Sequence, residues 1–240
     1  MGDGMSRVAV VTGAAGAIGS AVCARLRASG DTVVGLDTAT DPEGAGTEIL
    51  ACDVADTGSV AAAFDAVRDR HGDPTVLVNN AGITGAGGVE EETPEDWRRI
   101  IDVNLTGAYL CTRAVVAGMR AAGGGRIVNI ASVNARFGGS PLSGPAYAAS
   151  KGGLVTLSRF LALHHADDNI TVNALAPGPH DTPMWHALDP AWRERILATV
   201  PGNAPGDPDD LAAMVDFLCG PHAGYITGAT IDVNGGQWMG

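Results

Sequence analysis

The stretch VAVVTGAAGAIG, Val8 to Gly19, reads as a strand, a glycine turn and the start of a helix. Val8–Val11 is apolar at every position, as a strand buried on both faces requires. Gly13, Gly16 and Gly19 let the backbone turn tightly and approach a pyrophosphate, which would sit on the free N–H groups of the helix start. A strand–turn–helix that binds nothing uses the same residues, so the triplet alone does not decide. A signal peptide is a further reading of the apolar run after Arg7, but three glycines make a poor apolar helix.

Outward from this stretch, short Val/Ile/Leu runs alternate with helical patterns. Strands are expected at 32–36, 49–51, 75–78, 126–130, 170–175 and 230–233, and helices at 17–29, 57–70, 146–165 and 209–218. Thr93 and Pro94, with acids following, open one long helix that runs to about Ala122. Alternation of this kind implies βαβ units, hence an α/β, Rossmann-type, doubly wound parallel sheet of about seven strands in one domain spanning 1–240. Segment 177–206 breaks the pattern. It is proline-rich, holds Trp185 and Trp192, and contains a short helical piece; a long insertion after a strand end reads as a substrate lid.

Composition narrows the class. The 240 residues are 45% hydrophobic and 18% charged, enough for a core and unlike a disordered chain. The net charge of −12 argues against nucleic acid, which needs a basic face. No run of 18 apolar residues suggests a membrane span. Cys23, Cys52, Cys111 and Cys219 are widely spaced, which fits buried thiols in a reducing, cytoplasmic setting. The six histidines lack the neighbours of a metal site, so no metal is expected. Among 15 basic residues, fourteen are Arg and one, Lys151, is Lys.

That lysine lies four residues after Tyr147, so the two share one helix face. A phenol with pKa about 10 is a poor base at neutral pH. A nearby ammonium favours the phenolate, so Tyr147 can exchange a proton with an alcohol. Arg is no substitute, because its wide fork does not mimic a point charge. Asp37 ends the second strand, eighteen residues past Gly19, where a carboxylate accepts hydrogen bonds from ribose hydroxyls and repels a 2′-phosphate. No Arg or Lys lies in 8–24 or 28–67, so NAD is expected over NADP. Asp53 fits either an adenine contact or a cap on the next helix.

The ordered set TGAAGAIG (12–19), Asp37, CDV (52–54), NNAG (79–82), Asn104, IAS (130–132), YAASK (147–151), APGPHDTP (176–183) and VNGGQW (233–238) resembles the short-chain dehydrogenase/reductase family over essentially the whole chain. The resemblance implies hydride exchange between nicotinamide and a secondary alcohol or ketone. It implies Tyr147 as general acid/base, Lys151 as its partner and ribose ligand, Ser132 as donor to the substrate oxygen, and Asn104 as holder of a relay water. It places Gly13, Gly16, Ile18, Gly19, Asn80, Ala81 and Gly82 along the cofactor and Asp53 and Val54 at the adenine. Pro177, Gly178, His180 (through its backbone) and Thr182 fall at the nicotinamide end. Relatives are commonly homotetramers joined through helices like 105–122 and 146–165.

Two features depart from the family pattern. Ala17 stands where Gly is usual, and Ser132 lies fifteen residues before Tyr147, about two more than usual. The strand end favours Ser132 as the family's serine, with the extra residues in loop 138–145; Ser140 and Ser143 are the less favoured candidates, and Asn134 sits at the usual offset. Substrate contacts are expected at Asn134, Met184, Trp185 and Trp192. The acidic charge and Asp37 favour a free small alcohol or ketone with NAD. The alternatives are a 3-oxoacyl-carrier or CoA reductase, with Arg120, Arg126 and Arg159 as a local basic patch, and a non-catalytic NAD(H) sensor.

Overall fold

The computed structural model describes residues 7–40, 46–140 and 142–240. Seven strands form one all-parallel sheet: β1 Val8–Thr12, β2 Thr32–Asp37, β3 Glu48–Ala51, β4 Val76–Asn79, β5 Gly125–Ile130, β6 Ile170–Pro177 and β7 Thr230–Val233. Their order is β3-β2-β1-β4-β5-β6-β7. The order reverses between β1 and β4, and at such a switch point the carboxyl ends of the strands open a crevice. The glycine turn after β1 lies there.

Among the described residues nine α-helices accompany the sheet: α1 Ala17–Ala28, α2 Thr57–His71, α3 Pro94–Ile101, α4 Gly107–Ala121, α5 Asn134–Phe137, α6 Gly144–His164, α7 Pro183–His186, α8 Pro190–Leu197 and α9 Pro208–Cys219. Alternate side chains of β1 serve opposite faces, as strand geometry dictates. Val8 and Val10 pack with Phe64, Val67, Cys111, Val115 and Leu161 of α2, α4 and α6. Ala9 and Val11 pack with Val22, Leu26, Leu211 and Val215 of α1 and α9. All four cysteines are buried and free, and burial pushes the thiols of Cys23 and Cys219 up to about 12.

The expected long helix is interrupted. Between α3 and α4 the chain makes one wide π turn, Asp102–Thr106. The run Pro94–Ala121 is long and apolar enough to cross a membrane by length and composition, although polar and charged residues such as Asn104 and Arg113 interrupt it. Its Cys111, Val115 and Met119 are nonetheless buried against the sheet. Helix α6 starts at Gly144, two residues before the expected Ala146. Helix α5 was not anticipated. Asp53 does not cap α2: Asp56 does, accepting from the Ser59 N–H, while Asp53 closes its own turn by accepting from Ala55 N–H at 2.9 Å.

Segment 177–206 is a loop tied at its neck. Asp181 N–H donates to Gly206 O at 2.8 Å and Gly206 N–H to Pro179 O at 3.0 Å. The short helices α7 and α8 lie between, so the insertion leaves and rejoins the body at one place.

Candidate active site

The glycine turn is held from outside. Thr12 Oγ1 accepts from the N–H groups of Asn80 and Ala81, each at 3.0 Å. Asn80 Nδ2 returns bonds to the carbonyls of Thr12 and Gly13, also at 3.0 Å. Gly13 has φ +65, and a Cβ there would lie 2.8 Å from Ala81 Cα. A Cβ on Gly19 would lie 2.1 Å from Gly13 O. Gly16 differs: its φ is ordinary and nothing approaches a Cβ within 3.4 Å. No side chain caps α1 and no acid occupies its first turn. The first N–H groups of a helix have no partner inside it, so those at Ala17 and Ile18 stay available to an anion. Ala17 adds only a methyl at the helix start.

Asp37 is half-buried at the end of β2. Its carboxylate accepts from Ala15 N–H at 3.0 Å and Ala39 N–H at 3.1 Å, which anchors it beside the turn. The Val54 side chain faces the core, where a Cβ on Gly107 would meet it at 2.8 Å; only its backbone is left to face an adenine. The turn, its free N–H groups and Asp37 therefore fit a nicotinamide dinucleotide: anion cradle, close backbone approach and ribose acceptor meet at the ends of β1 and β2.

Beyond the turn lies a cavity of about 690 Å³. Ser132, Tyr147 and Lys151 line it, brought together from the end of β5 and the start of α6. Lys151 is 3% exposed; its Nζ donates to Ile130 O at 2.8 Å and lies 5.7 Å from the centre of the Tyr147 ring. Burial pulls the Lys151 ammonium down to about 8. Burial also pushes the Tyr147 phenol up, against which the hydrogen bond with Ser132 acts. The Ser132 hydroxyl thus faces Tyr147 despite the long spacing, and it also accepts from Asn134 N–H at 3.1 Å. Ser143 instead closes a local turn with Ser140, whose N–H and carbonyl it bonds. The loop 138–145 lines the cavity through Ser140, Leu142 and Ser143; its Pro141 lies outside the described residues.

Asn104 sits in the π turn, 1% exposed. Its side chain bonds both Ile83 N–H (2.8 Å) and Ile83 O (2.9 Å), and donates to Ser150 Oγ at 3.0 Å. Ser150 Oγ in turn donates to Tyr147 O at 2.8 Å. Both amide hydrogens of Asn104 are therefore engaged by protein, and the residue ties the loop after β4 to the helix of Tyr147. Gly82 fits between, with Asn104 Oδ1 and Lys151 Nζ each 3.3 Å from where its Cβ would be.

At the opposite wall Pro177 O accepts from Val133 N–H, and Gly178 packs against Asn234, where a Cβ would lie 2.9 Å from Cα. The His180 ring is tied back to Gly178 O at 3.0 Å, leaving its backbone to the site. Thr182 caps α7 through Trp185 N–H. Asn134, Met184, Trp185 and Trp192 all line the cavity, although Trp185 is mostly packed into the body at 7% exposure. Phe137, Leu188, Arg195, Ile196 and Gln237 also line it and were not anticipated. Ser150 was overlooked as well, although it stands inside the YAASK signal. Among the described residues no group of three or more His, Cys, Asp or Glu is placed to hold a metal ion.

A dinucleotide cradle that opens on a Ser–Tyr–Lys group is the layout of a nicotinamide-dependent oxidoreductase. A family model described as enoyl-(acyl carrier protein) reductase matches residues 13–237. The 3-oxoacyl-[acyl-carrier-protein] reductase of Vibrio harveyi is 38% identical over 240 residues, covering 97% of this chain and 98% of its own. The acetoacetyl-CoA reductases of Rhizobium meliloti and Shinella zoogloeoides are 38% and 39% identical, each covering 98% of this chain and 100% of their own. The chain belongs to the short-chain dehydrogenase/reductase family. These relatives are named for 3-oxoacyl-[acyl-carrier-protein] and acetoacetyl-CoA.

Proposed function

We propose that the protein interconverts a 3-oxoacyl and a 3-hydroxyacyl thioester with NAD(H). The observation that carries the chemistry is the Ser132–Tyr147–Lys151 group facing one cavity beside the glycine turn. Bound nicotinamide supplies or accepts the hydride. Ser132 Oγ and the Tyr147 hydroxyl would donate to the ketone oxygen and orient the reacting carbon. As hydride reaches that carbon, the oxygen takes the Tyr147 proton; in the oxidative direction Tyr147 takes it back. Lys151, as ammonium, would stabilise the phenolate and help hold the nicotinamide ribose. Asn104, through Ile83 and Ser150, holds the cofactor loop and the Tyr147 helix in register, on the path where a relay water would recharge the site. Ile18, Asn80, Ala81 and Gly82 would bed the cofactor, with Asp53 and the Val54 backbone at the adenine. The carboxamide would meet the His180 backbone and Thr182, beside Pro177 and Gly178.

The preference for NAD rests on Asp37, whose carboxylate would oppose a 2′-phosphate. The preference for a small carrier rests on charge. Arg120 is paired with Asp168 at 3.0 Å, and the half-buried Arg126 donates to the carbonyls of Gly125 and Asn169. Of the three arginines that would greet an acidic carrier protein, Arg159 alone is exposed without an ion pair among the described residues. A free ketone is the second reading, favoured by the apolar wall of Leu142, Leu188, Trp192 and Ile196. The insertion 177–206 acts as a lid, and the protein assembles as a homotetramer through α4 and α6.

Nicotinamide absorbance with acetoacetyl-CoA, crotonyl-CoA and neutral ketones, each with NADH and NADPH, tests the proposal. Acetoacetyl-CoA should be reduced, with NADH preferred. Turnover of neutral ketones alone would sink the thioester, and a strong NADPH preference would sink the role of Asp37. Tight NADH binding without hydride exchange on any substrate would favour a sensor.

A further inference from the structure

The chain carries 27 acids, yet among the described residues none lines the 690 Å³ cavity. Its formal charges are two cations: Lys151, already at the reacting end, and Arg195. Arg195 lies in the last turn of α8 and is exposed. Its guanidinium stacks on the Trp192 ring, 4.9 Å from the centre, which holds a long, mobile side chain in one orientation. Two of the three acids of the insertion are engaged elsewhere, and the third, Glu194, is exposed and does not line the cavity. Asp189 caps α8 through Ala191 N–H, and Asp181 pairs with His186 at 2.6 Å. Arg195 has no ion pair among the described residues.

A guanidinium keeps its charge at every physiological pH and offers a planar fork of donors, the shape that binds phosphate or carboxylate. In a protein of net charge −12, a cavity free of carboxylate whose mouth presents this fork is built for an anion. We propose that the Trp192–Arg195 pair binds an anionic group on the substrate, remote from the ketone. The pair is a specificity determinant and takes no part in hydride transfer. The inference deepens the thioester reading and rests on it for one source of the anion: the phosphates of a CoA thioester. The other source of the same chemistry is the carboxylate of a free oxo acid.

The test compares wild type with Arg195→Gln on acetoacetyl-CoA, the phosphate-free N-acetylcysteamine thioester of acetoacetate, free acetoacetate and a neutral ketone. If phosphate is recognised, Arg195→Gln raises KM for acetoacetyl-CoA roughly tenfold, leaves kcat and the N-acetylcysteamine KM unchanged, and Arg195→Lys recovers part of the loss. If carboxylate is recognised, the same rise falls on acetoacetate, so the anion site stands while the thioester reading falls. Equal KM values for both variants on both anionic substrates overturn the anion site and leave the thioester reading intact. A rise confined to the KM of NADH overturns it too, because the cation would then serve the cofactor. Should no substrate turn over, binding of CoA and of acetoacetate to the NAD complex, followed by Trp fluorescence, decides. Weaker binding of either anion to Arg195→Gln supports the site, and equal affinity of the two variants for both sinks it.

Discussion

Lys151 is the residue on which charge and burial conflict most. An ammonium 3% exposed, with burial pulling it to about 8 from an ordinary 10.5, costs stability while it stays charged. The cost is full below about pH 8 and fades as the pH rises toward 10.5, because the unfolded chain then binds the proton that the folded one has released. Wild type should therefore gain unfolding free energy relative to Lys151→Met across that window, read by urea denaturation at several pH values. A pH-independent difference would show that the ammonium is not destabilised by burial. Ser132→Ala should lose roughly a hundredfold in kcat with NADH affinity unchanged, as expected for a donor aimed at the reacting oxygen. Near-normal turnover in that variant would return the role to Ser140 or Ser143. Tyr147 and Lys151 were legible because their chemistry demands fixed types at a fixed spacing. Ser132 was legible only from the strand end, since its spacing to Tyr147 is irregular.

Elements are placed by contacts far apart in sequence, and α6 illustrates it. Its N-cap, Ser143, makes no side-chain cap. Glu92, more than fifty residues earlier, supplies the acceptor instead: Oε2 takes the Ala146 N–H at 2.9 Å, next to Tyr147. Gly144 has φ +73, and a Cβ there would lie 2.5 Å from Glu92 Oε1, so glycine is required where the carboxylate enters. Glu92→Ala should cost about 1 kcal/mol, as lost helix caps do, and lower kcat by loosening Tyr147. Glu92→Gln keeps an oxygen acceptor and should keep most of both. Urea unfolding with steady-state kinetics checks this, and an Ala variant as stable as wild type would remove the cap from the account. The same distance effect hid the π turn. Local propensity over 94–122 favours an unbroken helix, but Asn104 must reach both Ile83 and Ser150, and one wide turn turns it that way.

Across the whole molecule, the sheet order concentrates every candidate group at one edge of the strands, while α4 and α6 present Tyr109, Phe160 and Leu163 outward at 48%, 56% and 77% exposure. Light scattering over a concentration range should find a tetramer, and Phe160→Glu with Leu163→Glu should shift it to smaller species. A monomer at every concentration would remove assembly from the proposal.

By itself the sequence determined the layered α/β fold, the glycine turn, and the Tyr147–Lys151 pair, because these depend on local periodicity, on residues without a Cβ, and on side chains one helical turn apart. Tertiary structure alone decided what caps the Tyr147 helix and that Arg195 is the second cation of the cavity. Those outcomes depend on the meeting of segments tens of residues apart, and packing, with the need to satisfy every buried polar group, settles that meeting only when the chain has closed on itself.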